Sequence, residues 1–415
     1  FEHSIANILE YLINVISTID DFGDKTEISR ETIDFLIESI QTIFFDTIDY
    51  YNSFQDNSEE NIQTEVLIHN LFVYMDSIYE HHIYLLKLKF LPFNDFLKQE
   101  LGFNLNEIFR IIKKINKDVK SNLFSNISPF IINEMTIPIN FLKLISMEIG
   151  KNKEFFCYKG RERWPNNPSR FRVRPIIKYQ ETYYNFFPQL LFERIGLVLE
   201  ELIKKNYENY YKKYVKNCSV ILEDMSLNLI RKLLPDAAIF GNLFYIINEK
   251  GKQMRFETDG IVIYDNNLLI IEAKSNLFSF DARMGFFDRI KKNTRDIIDK
   301  AYNQAVRTKK YFFSKDIAEF REKNGESVII QNTKKYENVF LINTTLEKLG
   351  PLATRLNSAK MMNYLKGKEF PWSVFINDLR IISDLIEMPS SFLLYLKRRI
   401  KNIKNINKEL SERQG

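Results

Sequence analysis

The chain has 415 residues, 45% of them apolar and 14% aromatic, with a formal net charge of +5. That composition excludes a disordered or fibrous chain, and the length allows two to four domains at about 100–200 residues each. Only two cysteines, Cys157 and Cys218, are present, which excludes a disulfide scaffold and a Cys-rich zinc module and suits a cytoplasmic protein, bacterial in kind. No run of 18 uncharged apolar residues predicts a membrane span. Phe1 in place of a methionine suggests a trimmed start.

Residues 1–100 carry 19 acidic and 5 basic side chains, and the other 315 carry 35 acidic and 54 basic. A net of −14 beside a net of +19 predicts two bodies with different partners, the basic one suited to a polyanion such as nucleic acid. An ordinary Lys-rich solvated surface accounts for part of the same excess.

Residues 1–150 read as an acidic helical domain. Ile5, Ile8, Leu9, Leu12, Ile13 and Ile16 recur at helical spacing, as do Ile33, Leu36, Ile37, Ile40, Ile43 and Phe44. Asp24–Glu27 and Ser29–Thr32 are helix-start material, and Val66–Leu91 is a further helical stretch. His81 and His82 are adjacent, so on a helix they point about 100° apart; a structural role is expected rather than a metal site.

Residues 151–185 form a basic hairpin or linker. Trp164-Pro165-Asn166-Asn167-Pro168 is turn chemistry, and a hairpin is expected around Gln180-Glu181. Arg161, Arg163, Arg170, Arg172 and Arg174 suit either a phosphate-contacting arm or a solvated hairpin.

Residues 186–347 alternate helix and strand: a helix over Gln189–Tyr214, strands over Phe240–Asn248, Phe256–Tyr264 and Leu268–Lys274, a basic helix over Arg289–Phe313, and a strand over Val339–Asn343. The order helix, three strands, helix, strand predicts an α/β core with a mixed sheet. Residues 348–415 return to helix, with Leu379–Ile386 and Ser390–Ile400 as its elements.

The chemistry concentrates in one hairpin. Asp259 lies in the strand Phe256–Tyr264, and Glu272-Ala273-Lys274 ends the next strand. Charges inside otherwise apolar strands are costly unless used. A two-residue turn at Asn266-Asn267 would place Asp259 opposite Lys274 and Ile261 opposite Glu272. Glu257, Asp259, Glu272 and Lys274 would then share one face, with the two carboxylates as diagonal neighbours able to bridge a cation. Mg²⁺ (or Mn²⁺) suits two carboxylates, the Ala273 carbonyl being a further oxygen, and Lys274 would reach a metal-bound water.

Asp259 followed thirteen residues on by Glu272-Ala273-Lys274 resembles the PD-(D/E)XK nuclease superfamily, the restriction-endonuclease-like fold, over about 160 residues. The resemblance implies Asp259 and Glu272 as metal ligands and Lys274 as catalytic lysine. It further implies a glutamate on the preceding helix, here Glu193 with Glu200 as fallback, and a glutamine on the following helix, here Gln304. Thr258 stands where the name-giving proline would be, and Pro235-Asp236 lies before an intervening strand as a decoy.

The expected activity is therefore metal-dependent hydrolysis of phosphodiester bonds, in DNA rather than RNA, by an endodeoxyribonuclease of the kind used in restriction, phage defence or repair. Arg289, Lys291, Lys292, Arg295 and Arg307 would track the nucleic-acid backbone; a plain solvated helix face is the competing reading. The acidic N-terminal region would mask the basic cleft or hold a protein partner. The alternative is an inactive nuclease fold serving as a nucleic-acid-binding or scaffold module. No Gly-rich phosphate loop or Gly-x-Ser-x-Gly elbow points elsewhere.

Overall fold

The computed structural model describes residues 2–20, 29–52, 79–122, 131–132, 137–156, 165, 167, 170–206, 208–249, 251–279, 282, 286–322, 324–331, 336–354 and 369–412. The expected helix start at Asp24–Glu27, the first part of the Val66–Leu91 stretch, Cys157, Trp164, Arg161 and Arg163 lie outside them. Among the described residues no helix is long and apolar enough to cross a membrane. The described residues divide into two compact units, one up to Tyr214 and one from Val215 onward.

The first unit carries α1 (Glu2–Ile16), α2 (Arg30–Asn52), α3 (Tyr79–Phe90), α4 (Asn94–Leu101), α5 (Leu105–Asn122) and α6 (Ile139–Ile145). A three-stranded sheet follows, of β1 (Ser146–Glu148), β2 (Ile176–Tyr179) and β3 (Thr182–Asn185), then α7 (Pro188–Asn206). The predicted hairpin is β2–β3, with Gln180 at φ +53 in its turn. Two arginines of the basic stretch are held by acids, Arg170 by Glu154 at 2.8 Å and Arg174 by Glu201 at 3.4 Å, which favours the solvated-hairpin reading. His82 packs its ring 5.7 Å from that of Phe192 and contacts the Phe192 carbonyl at 3.3 Å, in line with a structural role.

The helix expected over Gln189–Tyr214 ends at Asn206, and a second helix, α8 (Glu208–Leu233), runs on into the second unit. Its buried residues Tyr214, Cys218, Leu222, Met225, Ile230 and Leu233 are one helical stripe. The second unit then builds a seven-stranded mixed sheet in the order β10-β9-β6-β5-β4-β7-β8. The predicted strands are β4 (Ala238–Glu249), β5 (Lys252–Tyr264), β6 (Asn267–Lys274) and β9 (Asn338–Thr345). The sequence missed β7 (Ile317–Arg321), β8 (Ser327–Gln331) and β10 (Trp372–Phe375). β4, β5 and β6 are antiparallel neighbours, whereas β6, β9 and β10 run parallel.

The connection from β6 to β9 begins with the basic helix, in three parts, α9 (Phe287–Thr294), a π-helical turn (Arg295–Asp299) and α10 (Lys300–Phe313), and then makes the β7–β8 hairpin. A π turn widens the helix and loosens its internal bonding. Asn343 of β9 donates to the Ile297 carbonyl there at 3.1 Å, tying the turn to the sheet. One core cluster joins the sheet to this helix through Ile261, Leu268, Ile270, Ile290, Ile297, Ile298 and Phe312. Each such fully buried side chain contributes about 1.5–3 kcal/mol. The chain closes with α11 (Pro351–Thr354), α12 (Ile376–Leu385) and α13 (Pro389–Glu412); Phe392 and Tyr395 of α13 meet the Trp372 ring edge-on.

α8 covers the opposite face of the sheet. Ser226 donates to Thr344 at 2.7 Å, and Leu227 lies against Gly241 and Gly260. A methyl group added at Gly260 would meet Leu227 Cδ2 at 2.6 Å and Ile271 Cβ at 3.5 Å. Gly260→Ala is expected to cost about 1–3 kcal/mol by overpacking. Urea unfolding should show that loss, and Leu227→Ala in the same chain should recover part of it.

Candidate active site

The turn between β5 and β6 falls at Asp265-Asn266, not Asn266-Asn267, because Tyr264 pairs with Asn267. Asp265 takes φ +49, which a short polar side chain tolerates. Asn267 is drawn into the strand instead: its amide donates to the Tyr264 carbonyl at 3.2 Å, and its oxygen accepts from Asn338 of β9 at 2.9 Å. The register therefore moves by two residues. Gly260 pairs with Ile271 and Ile261 with Ile270, a register that does not set Asp259 opposite Lys274 or Ile261 opposite Glu272. A shift of two preserves the side on which each β6 side chain falls, which a shift of one would not.

Glu272 and Lys274 project from the same side of β6, with Lys274 Nζ 3.8 Å from Glu272 Oε2. The β5–β6 ladder ends at Gly260–Ile271, and the Asp259 carboxylate takes over: Oδ2 accepts the Ala273 N–H at 2.6 Å. A carbonyl role is expected of Ala273; its contact with Asp259 is made by its N–H. Glu257 does not join this group. It is exposed and pairs with Arg255 at 3.0 Å.

Glu272 is 1% exposed, and neither carboxylate oxygen has a hydrogen-bond partner. Burial pushes its pKa well above the ordinary 4.5, and the Asp259 charge pushes it further the same way. Lys274 opposes the shift, and Arg307 does so more weakly. The nearby Thr258 hydroxyl also favours ionisation, although it sits outside hydrogen-bonding geometry. A buried carboxylate that makes no hydrogen bond and feels the charge of a second one is what a cation would relieve, so Asp259 and Glu272 fit a hard divalent ion. Among the described residues no group of three or more His, Cys, Asp or Glu could hold a metal ion. Such an ion would thus have two protein carboxylates and take its other oxygens from water or substrate.

The residues expected on helices are placed differently from the hairpin trio. Glu193 is half-buried on α7, in the first unit, and Glu200 of the same helix accepts from Tyr214 at 3.1 Å. The helix that leads into the sheet is α8, and it carries Glu223, which the sequence did not single out. That glutamate is half-buried, one turn after Ser219, which bonds Ser275 at 2.8 Å, and one turn before Leu227 at Gly260. The stripe from Tyr214 to Leu233 was the signal that would have extended the helix past it.

Gln304 is half-buried on α10, one turn before Arg307 and Thr308. Those two meet the sheet: the Arg307 guanidinium stacks 4.2 Å over Phe256, and Thr308 bonds the Tyr245 hydroxyl at 3.2 Å. Burial pushes that hydroxyl up to about 12. Arg307 is therefore turned toward the sheet, apart from the outer basic residues. Arg289, Lys292 and Arg295 are exposed, and Lys291 is half-buried. Lys291, Lys292, Arg295 and Lys300 share an open depression of about 560 Å³ with Asp288, Asp296 and Asp299, and Lys300 pairs with Asp296 at 2.6 Å. Four cations beside three anions make this face much less positive than the basic residues alone imply.

No family model, curated protein or solved structure matches the chain.

Proposed function

We propose that the chain is a metal-dependent nuclease with a restriction-endonuclease-like core, acting on DNA in preference to RNA. The observation that carries this reading is Glu272, buried without a hydrogen bond on either oxygen, under the influence of the Asp259 charge and on the same side as Lys274. Asp259 and Glu272 would hold Mg²⁺ or Mn²⁺. A divalent ion bound there supplies Lewis acidity and lowers the pKa of water. Lys274, with 15% of its side chain exposed, keeps its ammonium at the edge of the acidic pair. From there it can orient an attacking water and offset the charge that develops on the phosphoryl oxygens. The Ala273 N–H holds Asp259 in one rotamer, so little reorganisation is needed when a phosphate arrives. Lys291, Lys292 and Arg295 offer exposed or half-exposed charge for the nucleic-acid backbone.

The near-complete burial of Glu272 favours one competing reading, a non-catalytic module that keeps the fold and binds nucleic acid or a protein. A digestion panel separates the two. Linear and circular double-stranded DNA, single-stranded DNA and RNA are each incubated with Mg²⁺, Mn²⁺ or a chelator. The nuclease reading expects cleavage of DNA that the chelator stops. No cleavage of any polymer, with binding intact, selects the module instead. Cleavage of RNA alone overturns the substrate preference.

A further inference from the structure

β4 and β5 share a break in their pairing, and it falls at the site. Gly241 pairs with Gly260 and Leu243 with Thr258, but the pair between them, Asn242 with Asp259, is missing from the ladder. Asn242 has φ +53. The other non-glycine residues with positive φ, Gln180 and Asp265, sit in hairpin turns, so Asn242 is the one inside a strand among the described residues.

The break resets which way the side chains point. Phe240, Leu243 and Tyr245 pack with the core cluster under α10, whereas Gly241 faces Leu227 of α8. In a regular strand Gly241 and Leu243 would share a side. β5 does the same: Ile261 and Phe256 belong with the α10 cluster, while Gly260 faces Leu227. Alternation thus slips by one residue in both strands, at Asn242 and at Asp259. Asp259 is released from the regular pleat and reaches the Ala273 N–H across the end of the next ladder.

We propose that Asn242 is the positioning residue for Asp259. Its left-handed backbone creates the slip that sets the Asp259 carboxylate on Ala273. Strained backbone persists where its surroundings enforce it, and it gathers at functional sites; here Leu227, seated on both neighbouring glycines, supplies the enforcement. An asparagine tolerates this conformation, and a β-branched residue does not. The inference deepens the nuclease reading and rests on it for its catalytic consequence alone.

The test compares Asn242→Gly, Asn242→Ala and Asn242→Val in the full chain, following the Ala273 amide by NMR. In the unmodified protein that proton should be shifted downfield and protected from exchange, and Asp259→Asn should remove most of the shift. Asn242→Gly, free to keep the left-handed backbone, should preserve both signals. Asn242→Ala and Asn242→Val should lose them while circular dichroism stays native, and kcat should fall about 10–100-fold with KM little changed. If the valine variant does not fold, the alanine variant decides. Retention of the Ala273 signals in a folded Ala or Val variant overturns the proposal, as does their absence from the unmodified protein. If the amide results hold but the protein cuts no nucleic acid, the positioning role stands and the nuclease reading fails.

Discussion

Lys274→Ala is expected to lower DNA cleavage by about 10²–10⁴-fold, the range for a lost proton-transfer group or charge-stabilising donor. The lysine projects from the same side of β6 as the buried acid, its Nζ 3.8 Å from the carboxylate oxygen. Its removal should not unfold the protein. The shift in Glu272 already favours the neutral carboxyl, and without the Lys274 charge that carboxyl protonates more readily and sheds its penalty. Duplex binding should persist, because the outer charges on α9 and the π turn are untouched. Lys274→Arg should not restore the rate, since a planar fork cannot replace a compact ammonium at a half-buried site. Steady-state cleavage, a gel-shift series and a melting curve check the three parts. A Lys274→Ala protein that cuts at the native rate would sink the assignment.

Glu272→Gln should abolish cleavage and yet stabilise the second unit at pH 8. A buried carboxylate with no hydrogen bond costs on the order of 1–3 kcal/mol, and the neutral amide removes the charged part of that cost. At about 2–4 °C per kcal/mol for a unit of roughly 200 residues, the melting temperature should rise by several degrees. The sign of the pH dependence follows from the direction of the shift. The folded-state pKa of Glu272 lies above the unfolded value near 4.5. Below 4.5 the group is protonated in both states and carries no penalty. As the pH climbs from 4.5 through the raised value, the unfolded chain gives up its proton first and the folded chain loses stability. The gain from Glu272→Gln should therefore be large at pH 8 and vanish near pH 4. Mg²⁺ should raise the melting temperature of the unmodified protein at pH 8 and leave that of Glu272→Gln unmoved. A variant less stable than the parent at pH 8 would show that the carboxylate is well compensated where it lies.

The hairpin carrying the chemistry was legible because its information is local. Alternation within β6 puts Glu272 and Lys274 on one side whatever the strand pairs with. The register was not legible. Asn266 and Asn267 are both plausible turn residues, and what separates them is Asn338, seventy-one positions later, which bonds Asn267 in the sheet. The bounds of the helices before the sheet were hidden for a similar reason. Glu193 lies in a good amphipathic helix, but that helix belongs to the first unit, and burial of α8 against the sheet is what marks the other as the lead-in. β7, β8 and β10 are strands of four or five residues whose partners make them strands.

The amino-acid order alone thus determined the α/β character, the four central strands, the long basic helix and the shared side of Glu272 and Lys274 on β6, since periodicity and side-chain alternation act over a few residues. Only the tertiary structure decided the Asp265-Asn266 turn, the helix laid against Gly241 and Gly260, the burial of Glu272 and the left-handed corner at Asn242. Those depend on hydrogen bonds and packing between segments far apart in the chain, which no local pattern records.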